Sequence, residues 1–111
     1  MKLYIDSTDN LLTKIRLDDQ EYQKEVDSPR NQNVFGFLMQ CLKEKGVKPT
    51  DITEIEVNPG PGSFTGSRVG VTIANALAFA LGIEVNGQNP PIEPIYSSPP
   101  SITIPKIKPL V

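Results

Sequence analysis

The stretch NPGPGSFTGSRVGVTIANALAFALG, residues 58–82, decides the fold of this 111-residue chain. A strand-like run at 52–57 leads into a Pro/Gly turn, which places the hydroxyls of Ser63 and Thr65 at the start of a nearly uncharged helix. Glycine in a helix interior costs about 1 kcal/mol relative to alanine. We therefore expect a ligand or another helix to lie close to a row of small side chains that recur every four positions. This small-residue row is Gly62, Gly66, Gly70, Ala74, Ala78 and Gly82.

The first third of the chain predicts three antiparallel strands. Alternating apolar side chains indicate strands at 2–6, 11–17 and 21–26. A polar turn at 7–10 separates the first two, and a hairpin turn at 18–20 separates the second from the third. Together these segments predict an antiparallel meander.

A helix is predicted next, over residues 31–45, capped by Asn31 or Asn33 and ended by Gly46. Its apolar side chains form two stripes rather than one, which is typical of a helix that has a second neighbour besides a sheet. Cys41 lies within it among apolar residues, so we expect a buried, inert thiol.

The second half alternates strand, helix, strand, helix and strand. We predict a fourth strand at 52–57, a second helix at 66–81 and a short fifth strand at 83–87. Such alternation favours parallel pairing with right-handed crossovers. The predicted fold class is therefore α/β, with a mixed five-stranded sheet in the element order β1-β2-β3-α1-β4-α2-β5.

The last segment, residues 89–111, has a different composition. Seven of the eleven prolines lie between positions 90 and 109, which favours an extended, polyproline-like tail. The tail also keeps several isoleucines, so packing against the domain or a partner and free movement in solvent both stay open.

Composition excludes several classes of function. The net charge is −2, without the basic excess expected of a nucleic-acid-binding domain. One cysteine and no histidine exclude an internal disulfide, a histidine-based catalytic triad and a histidine-ligated zinc site. No signal peptide is recognisable, and the apolar run 73–82 is about half of a membrane span. We expect a cytoplasmic domain.

The segment Gly60-Pro61-Gly62-Ser63-Phe64-Thr65-Gly66 and the residues that follow it resemble the signature of the TsaB (YeaZ) family. The following matches are Arg68, Gly70, Ala74, Leu77, Ala78 and Phe79, and the opening Tyr4-Ile5-Asp6-Ser7-Thr8 is similar to the family's first strand and turn. The resemblance implies the actin-like/Hsp70-like ATPase (ASKHA) fold with ribonuclease-H-like half-domains. It covers residues 1–87 and implies one N-terminal half-domain, residues 1–88, with the tail in the place of the usual second half-domain.

The resemblance also implies a function. TsaB proteins act in the threonylcarbamoyl modification (t6A) of a tRNA adenosine as non-catalytic partners of the TsaD-type catalytic subunit. We therefore expect a scaffold subunit with no catalysis of its own and only slight or indirect contact with tRNA. A TsaE-type ATPase is a second candidate partner, and a homodimer is expected when the chain is alone. No cofactor is expected, except ATP or ADP at a subunit interface.

The partner surface predicted from the sequence combines the small-residue row with apolar anchors on both helices. On this hypothesis Gly70→Leu would abolish pairing and leave the domain folded. The predicted interface residues are Phe35, Met39, Leu42, Phe64, Gly66, Arg68, Gly70, Ala74, Leu77 and Ala78.

Two alternatives concern ligands. Ser63, Thr65 and Arg68 could hold a phosphate at the helix N-terminus, or a hydroxyl could simply cap the helix; the turn is not a Walker A loop. Asp6 could help to hold magnesium, as in active relatives of the fold, or bond its own turn. The alternative function is thus a stand-alone nucleotide-binding or ATP-hydrolysing domain. A peptidase is excluded by the missing nucleophile–base pair.

Overall fold

A computed structural model describes residues 1–95 of the chain. Its elements are the strands β1 (Lys2–Asp9), β2 (Leu12–Leu17), β3 (Gln20–Glu25) and β4 (Glu54–Val57) and the helices α1 (Val34–Lys45) and α2 (Phe64–Leu81). Short 3-10 turns, Pro29–Asn31 and Pro49–Asp51, precede α1 and β4.

The four strands form one mixed sheet in the order β3-β2-β1-β4. The β1–β2 and β2–β3 pairs are antiparallel, as the meander predicts, and β1 pairs with β4 in parallel, with Leu3 opposite Ile55 and Ile5 opposite Val57. The parallel pair brings the carboxyl ends of β1 and β4 to the same edge of the sheet.

The prediction of five strands is not confirmed in the described part of the chain. Residues 83–87 contribute one parallel bridge, between Val85 and Ile55. Asn86 and Gly87 then adopt left-handed φ values of 53° and 75°, so the chain turns back and Val85 bonds Gln88. A positive φ at two successive residues ends an extended segment, which is why no fifth strand propagates.

Residues 7–10 also differ from the prediction of a polar turn. β1 continues through Asp9, with a register irregularity between Asp6 and Asp9, and the chain reverses at residues 10–11. The Asp9 carboxylate accepts a hydrogen bond from the Leu11 amide at 2.9 Å, which closes the turn later than polarity alone suggests.

Both helices have the caps that their ends require. The Asn33 side chain accepts from the Gly36 amide at 2.9 Å, and α1 ends at Gly46 with φ of 78°. α2 packs chiefly on β1, whereas α1 packs on β2. Between them and the sheet lies an apolar core that includes Leu3, Ile5, Ile15, Leu17, Leu38, Cys41, Ile55 and Val85.

By length and composition alone, α2 would be long enough and apolar enough to cross a membrane. Core helices of globular domains meet the same criterion. Here α2 buries one side, including Val71, Ala74 and Ala78, against the chain's own sheet.

The beginning of the tail packs on the domain. The side-chain amide of Asn75 in α2 forms hydrogen bonds with the backbone N–H and the carbonyl of Ile92. The Ile92 side chain packs against the core. The conformation predicted for the tail beyond Ile95, and its extent to residue 111, lie outside the described residues.

Candidate functional site

A cluster of polar groups lies where β1 and β4 end and α2 begins. We call it the turn site and define it by Asp6, Thr8, Asn58, Gly60 and Ser63. Ligands of open α/β sheets bind beyond the carboxyl ends of the strands, so the position suits a binding site. The chain's own hydrogen bonds decide what the site can do.

The Asp6 carboxylate is occupied by groups of its own chain. It accepts from the Thr8 amide at 3.0 Å and from the Thr8 hydroxyl at 2.7 Å. Its other oxygen accepts from the Asn58 side-chain amide at 3.2 Å. Partial burial raises the Asp6 pKa, but the hydrogen bonds from Thr8 and Asn58 outweigh burial, so the pKa lies below its ordinary value. The interpretation of Asp6 as a turn acid is confirmed.

Ser63 is the hydroxyl that caps α2. Its Oγ accepts from the Gly66 amide at 3.0 Å, while its own amide donates to the Thr8 carbonyl at 2.8 Å. Thr65, two residues further on, is exposed. The capping hypothesis is therefore confirmed for Ser63, and phosphate binding by Ser63, Thr65 and Arg68 stays a prediction.

All of the small-residue row except Gly82 faces other parts of the same chain, which overturns the interpretation of the row as a contact for another subunit. A Cβ added at Gly66 would collide with the Ser7 carbonyl oxygen, and one at Gly70 would collide with the Ser7 hydroxyl. Ala74 and Ala78 are fully buried. The missing side chains let α2 lie directly on β1. The four-residue spacing of the small residues was predicted correctly, but the element that lies against them is the chain's own strand and not a helix of another subunit.

Two further glycines of the motif are explained by the chain itself. A Cβ at Gly62 would press on Thr8, and one at Gly60, whose φ is 118°, would meet the carbonyl of Ile95. These close approaches are between parts of one chain, so the Gly-rich turn does not need a phosphate to account for its composition.

The predicted interface residues divide into two groups. Leu42, Gly66, Gly70, Ala74 and Ala78 are buried within the chain and cannot contact a partner in this conformation. The others remain accessible at least in part: Phe35, Met39, Phe64, Arg68 and Leu77. The Arg68 guanidinium lies 5.2 Å from the centre of the Phe64 ring, a cation–π contact.

The outward side of α2 carries a shallow apolar groove of about 240 Å³, which we call the outer groove. It is lined by Thr65, Arg68, Val69, Thr72 and Ile73. Large apolar side chains are exposed near it and elsewhere on the helices: Phe64 at 44%, Phe79 at 83% and Phe35 of α1 at 51%. Arg68 is the one charged residue between positions 64 and 81.

Three asparagines were missed at the level of sequence, although each carries a visible signal. Asn58 precedes a proline, a usual position for a side chain that bonds its own turn, and its oxygen accepts from the Gly60 amide at 3.1 Å. Asn75 interrupts an apolar run. The side chain of Asn86 accepts a hydrogen bond from the Val57 amide at 2.8 Å and donates one to the Val57 carbonyl at 3.0 Å.

Catalytic equipment is sparse among residues 1–95. No group of three or more acidic, cysteine or histidine side chains there could hold a metal ion. Cys41 is buried, as expected, and its burial raises the thiol pKa to about 11.

The sequence model of the family described as "TsaD: tRNA N6-adenosine threonylcarbamoyltransferase" matches residues 26–89, more than half of the chain. The TsaB protein of Bacillus subtilis (strain 168) is 44% identical over 45 residues, which are 40% of this chain and 20% of that protein. A tRNA N6-adenosine threonylcarbamoyltransferase of Geotalea uraniireducens (strain Rf4) is 40% identical over 58 residues, 52% of this chain and 17% of that protein.

Among solved structures, YeaZ from Pseudomonas aeruginosa superposes with a TM-score of 0.62 at 26% identity. The match covers 76% of this chain and 42% of that one. The chain thus spans less than half of the length of these relatives. It belongs to the TsaD family of tRNA N6-adenosine threonylcarbamoyltransferases, and its likeness to TsaB (YeaZ) proteins confirms the family resemblance seen in the sequence.

Proposed function

We propose that this chain is a non-catalytic partner in the t6A modification of tRNA and that it binds a TsaD-type catalytic subunit through the outer groove of α2. The observation that carries the proposal is that the outward side of α2 is apolar and almost uncharged, whereas its other side is buried against the chain's own sheet. Family membership supplies the chemical context.

The exposure pattern supports an interface in the outer groove. Val69 is 37% exposed although it is aliphatic, and Thr65 and Thr72 beside it are uncharged. Apolar surface of this kind on a small domain usually marks a site of protein–protein interaction. Helices pack by fitting ridges into grooves, and a groove along α2 would accept a ridge of a partner helix. Phe35 of α1 would extend the contact.

The non-catalytic part of the proposal is supported by the state of the reactive groups. The Asp6 carboxylate is held by Thr8 and Asn58, and Cys41 has a raised thiol pKa. A general acid, a general base or a nucleophile needs a group that can reach a substrate.

Binding to a TsaD-type subunit can be measured by calorimetry and by size-exclusion chromatography at micromolar concentrations, with and without ATP and magnesium. We expect a complex with the unmodified chain. Val69→Asp places a charge in the groove and should weaken binding at least about tenfold, because a buried, unpaired carboxylate is costly. Gln20→Glu, an added charge on the exposed strand β3, is the matched control and should bind as the unmodified chain does.

Absence of a complex under all of these conditions would refute the proposed partnership. Equal binding by Val69→Asp would leave the partnership and reject the outer groove as its surface. The lone chain in the same chromatography shows whether a second copy occupies the surface, and addition of a TsaE-type ATPase tests the other expected partner.

A stand-alone nucleotide-binding domain is the second candidate, and one observation favours it. A cavity of about 190 Å³ at the carboxyl end of β1 is lined by Asp6, Thr8, Asp9, Leu12 and Lys14. The Lys14 ammonium would attract a phosphate, whereas the two carboxylates would repel it without a metal. Calorimetry of the lone chain with ATP and magnesium decides: a dissociation constant below about 100 μM would favour this candidate.

A further inference from the structure

The described part of the tail lies against the turn that forms the candidate site. After the reversal at residues 86–87, the chain passes along α2 and reaches the turn of residues 58–63. We call residues 89–95 the strap. Its two points of attachment are Ile92, on α2, and Ile95, on the turn.

The first attachment is a side-chain amide that pairs with a peptide backbone. Asn75 Nδ2 donates to the Ile92 carbonyl at 2.9 Å, and Asn75 Oδ1 accepts from the Ile92 amide at 2.9 Å. Asn75 is half-buried on α2, and both bonds span 17 residues of sequence. Because the Asn75 side chain bonds both the N–H and the carbonyl of Ile92, it fixes the position of the strap and also the direction of its backbone.

The second attachment is to the turn itself. The Ile95 amide donates to the carbonyl of Pro59. The next residue, Gly60, has a φ of 118° and has no room for a Cβ, because the Ile95 carbonyl lies there. The strap therefore packs on the backbone of the Gly-rich turn and determines which residue can occupy position 60.

From this contact a continuous series of hydrogen bonds leads into the turn site. The Gly60 amide donates to the Asn58 side chain at 3.1 Å, and the Asn58 amide group donates to the Asp6 carboxylate at 3.2 Å. Thr8, bonded to the same carboxylate, accepts from the Ser63 amide that begins α2. Asn58 lies one residue before the carbonyl that the strap holds.

We infer that the strap positions the turn site and that Asn75 is the positioning residue that holds the strap in place. The inference concerns the shape of the site and stands whether or not the partner proposed above binds. Release of the strap should loosen Gly60 and Asn58 first, then the Asp6 carboxylate, and leave β2 and β3 unchanged.

Amide hydrogen exchange of the full chain, resolved by NMR, tests this inference with Asn75→Ala. The variant removes both bonds to Ile92 and places a good helix former at an interior helix position. We expect the amides of Gly60 and Ser63 to exchange at least about tenfold faster, because their hydrogen bonds, to the Asn58 side chain and to the Thr8 carbonyl, close the turn. Asn31→Ala, which removes an exposed amide bonded to Asp27, is the matched control.

A second variant acts at the other attachment. Ile95→Pro removes the donor to Pro59 and leaves Asn75 intact, so it should give the same pattern at Gly60 and Ser63. The carboxyl resonance of Asp6 gives an independent readout. Its pKa should rise in both variants as the bond from Asn58 weakens, which a strap with a purely covering role would not cause.

The possible outcomes separate cleanly. Faster exchange at the turn with unchanged β2 and β3 amides supports the inference. Faster exchange confined to Ile92 and Ile95 overturns it, because the strap would then cover the turn without positioning it. No change in either variant overturns it as well. If Asn75→Ala loosens the whole sheet, the pattern in Ile95→Pro decides by the same criteria.

Discussion

Gly66 and Gly70 are glycines because β1 lies directly against them. The two positions differ in what a new Cβ would meet: at Gly66 it is the backbone carbonyl of Ser7, and at Gly70 it is the Ser7 hydroxyl. The hydroxyl also donates to the Gly66 carbonyl at 2.7 Å, a buried bond that ties α2 to the strand. One serine thus makes both glycines necessary.

Gly66→Ala is expected to destabilise the domain. Alanine would gain about 1 kcal/mol of helix propensity, but overpacking against a backbone atom costs about 1–3 kcal/mol and should dominate. Urea unfolding measures the difference, with Ala80→Gly on the exposed side of α2 as a propensity control. A more stable Gly66→Ala would mean that α2 does not lie against β1 as described.

Gly70→Leu is likewise expected to reduce stability strongly, contrary to the expectation from sequence that the domain stays folded. A leucine has no space between α2 and Ser7, so α2 must move away from β1. Circular dichroism during thermal unfolding shows the loss. A variant with an unchanged melting temperature would restore the hypothesis of an outward-facing row.

Asp6 makes the stability of the domain depend on pH in the acidic range. Because its folded pKa lies below the ordinary value of 3.8, the ionised carboxylate contributes stability above that pH. The contribution is lost as the pH falls from 3.8 through the folded pKa. Asp6→Asn should therefore be less stable at neutral pH, with a difference that shrinks in acid. Unfolding free energies across this range check the prediction, and a constant difference would contradict it.

Single elements differ in how far the sequence predicts them. The meander, the Asn33 cap and the end of α1 at Gly46 were predictable because each depends on neighbours in the chain. The fifth strand was predicted wrongly, because the apolar residues before Asn86 and Gly87 received more weight than the Asn-Gly pair, which favours a turn with left-handed φ values. The inward direction of the small-residue row was not predictable, because a period gives one face of a helix without saying what covers it.

At the scale of a single element, the contribution of the Ser63 cap to the stability of α2 can be predicted. Ser63→Ala should lose about 1 kcal/mol, the usual contribution of a capping hydroxyl, whereas Thr65→Ala should change stability little because that side chain is exposed. The pair can be compared by urea unfolding. A larger loss at Thr65 than at Ser63 would show that the cap is assigned to the wrong hydroxyl.

At the scale of the whole molecule, α2 has two sides with separate tasks. One side, with Gly66, Gly70, Ala74 and Ala78, is packed on the chain's own sheet. The other side carries the outer groove, which nothing among residues 1–95 covers. Sequence periodicity predicted the helix and its small residues. Which side packs on the sheet and which side is exposed could be determined only from the structure.

The most direct measurement is therefore a paired one on Gly66→Ala and Val69→Asp. Gly66 lies against β1, whereas Val69, three residues further along α2, is partly exposed in the outer groove. Unfolding free energy and affinity for a TsaD-type subunit are determined for both variants and for the unmodified chain. We expect Gly66→Ala to lose stability and, while folded, to keep its affinity, whereas Val69→Asp should keep its stability and lose affinity. The reverse result, with binding lost at Gly66 and kept at Val69, would contradict this expectation.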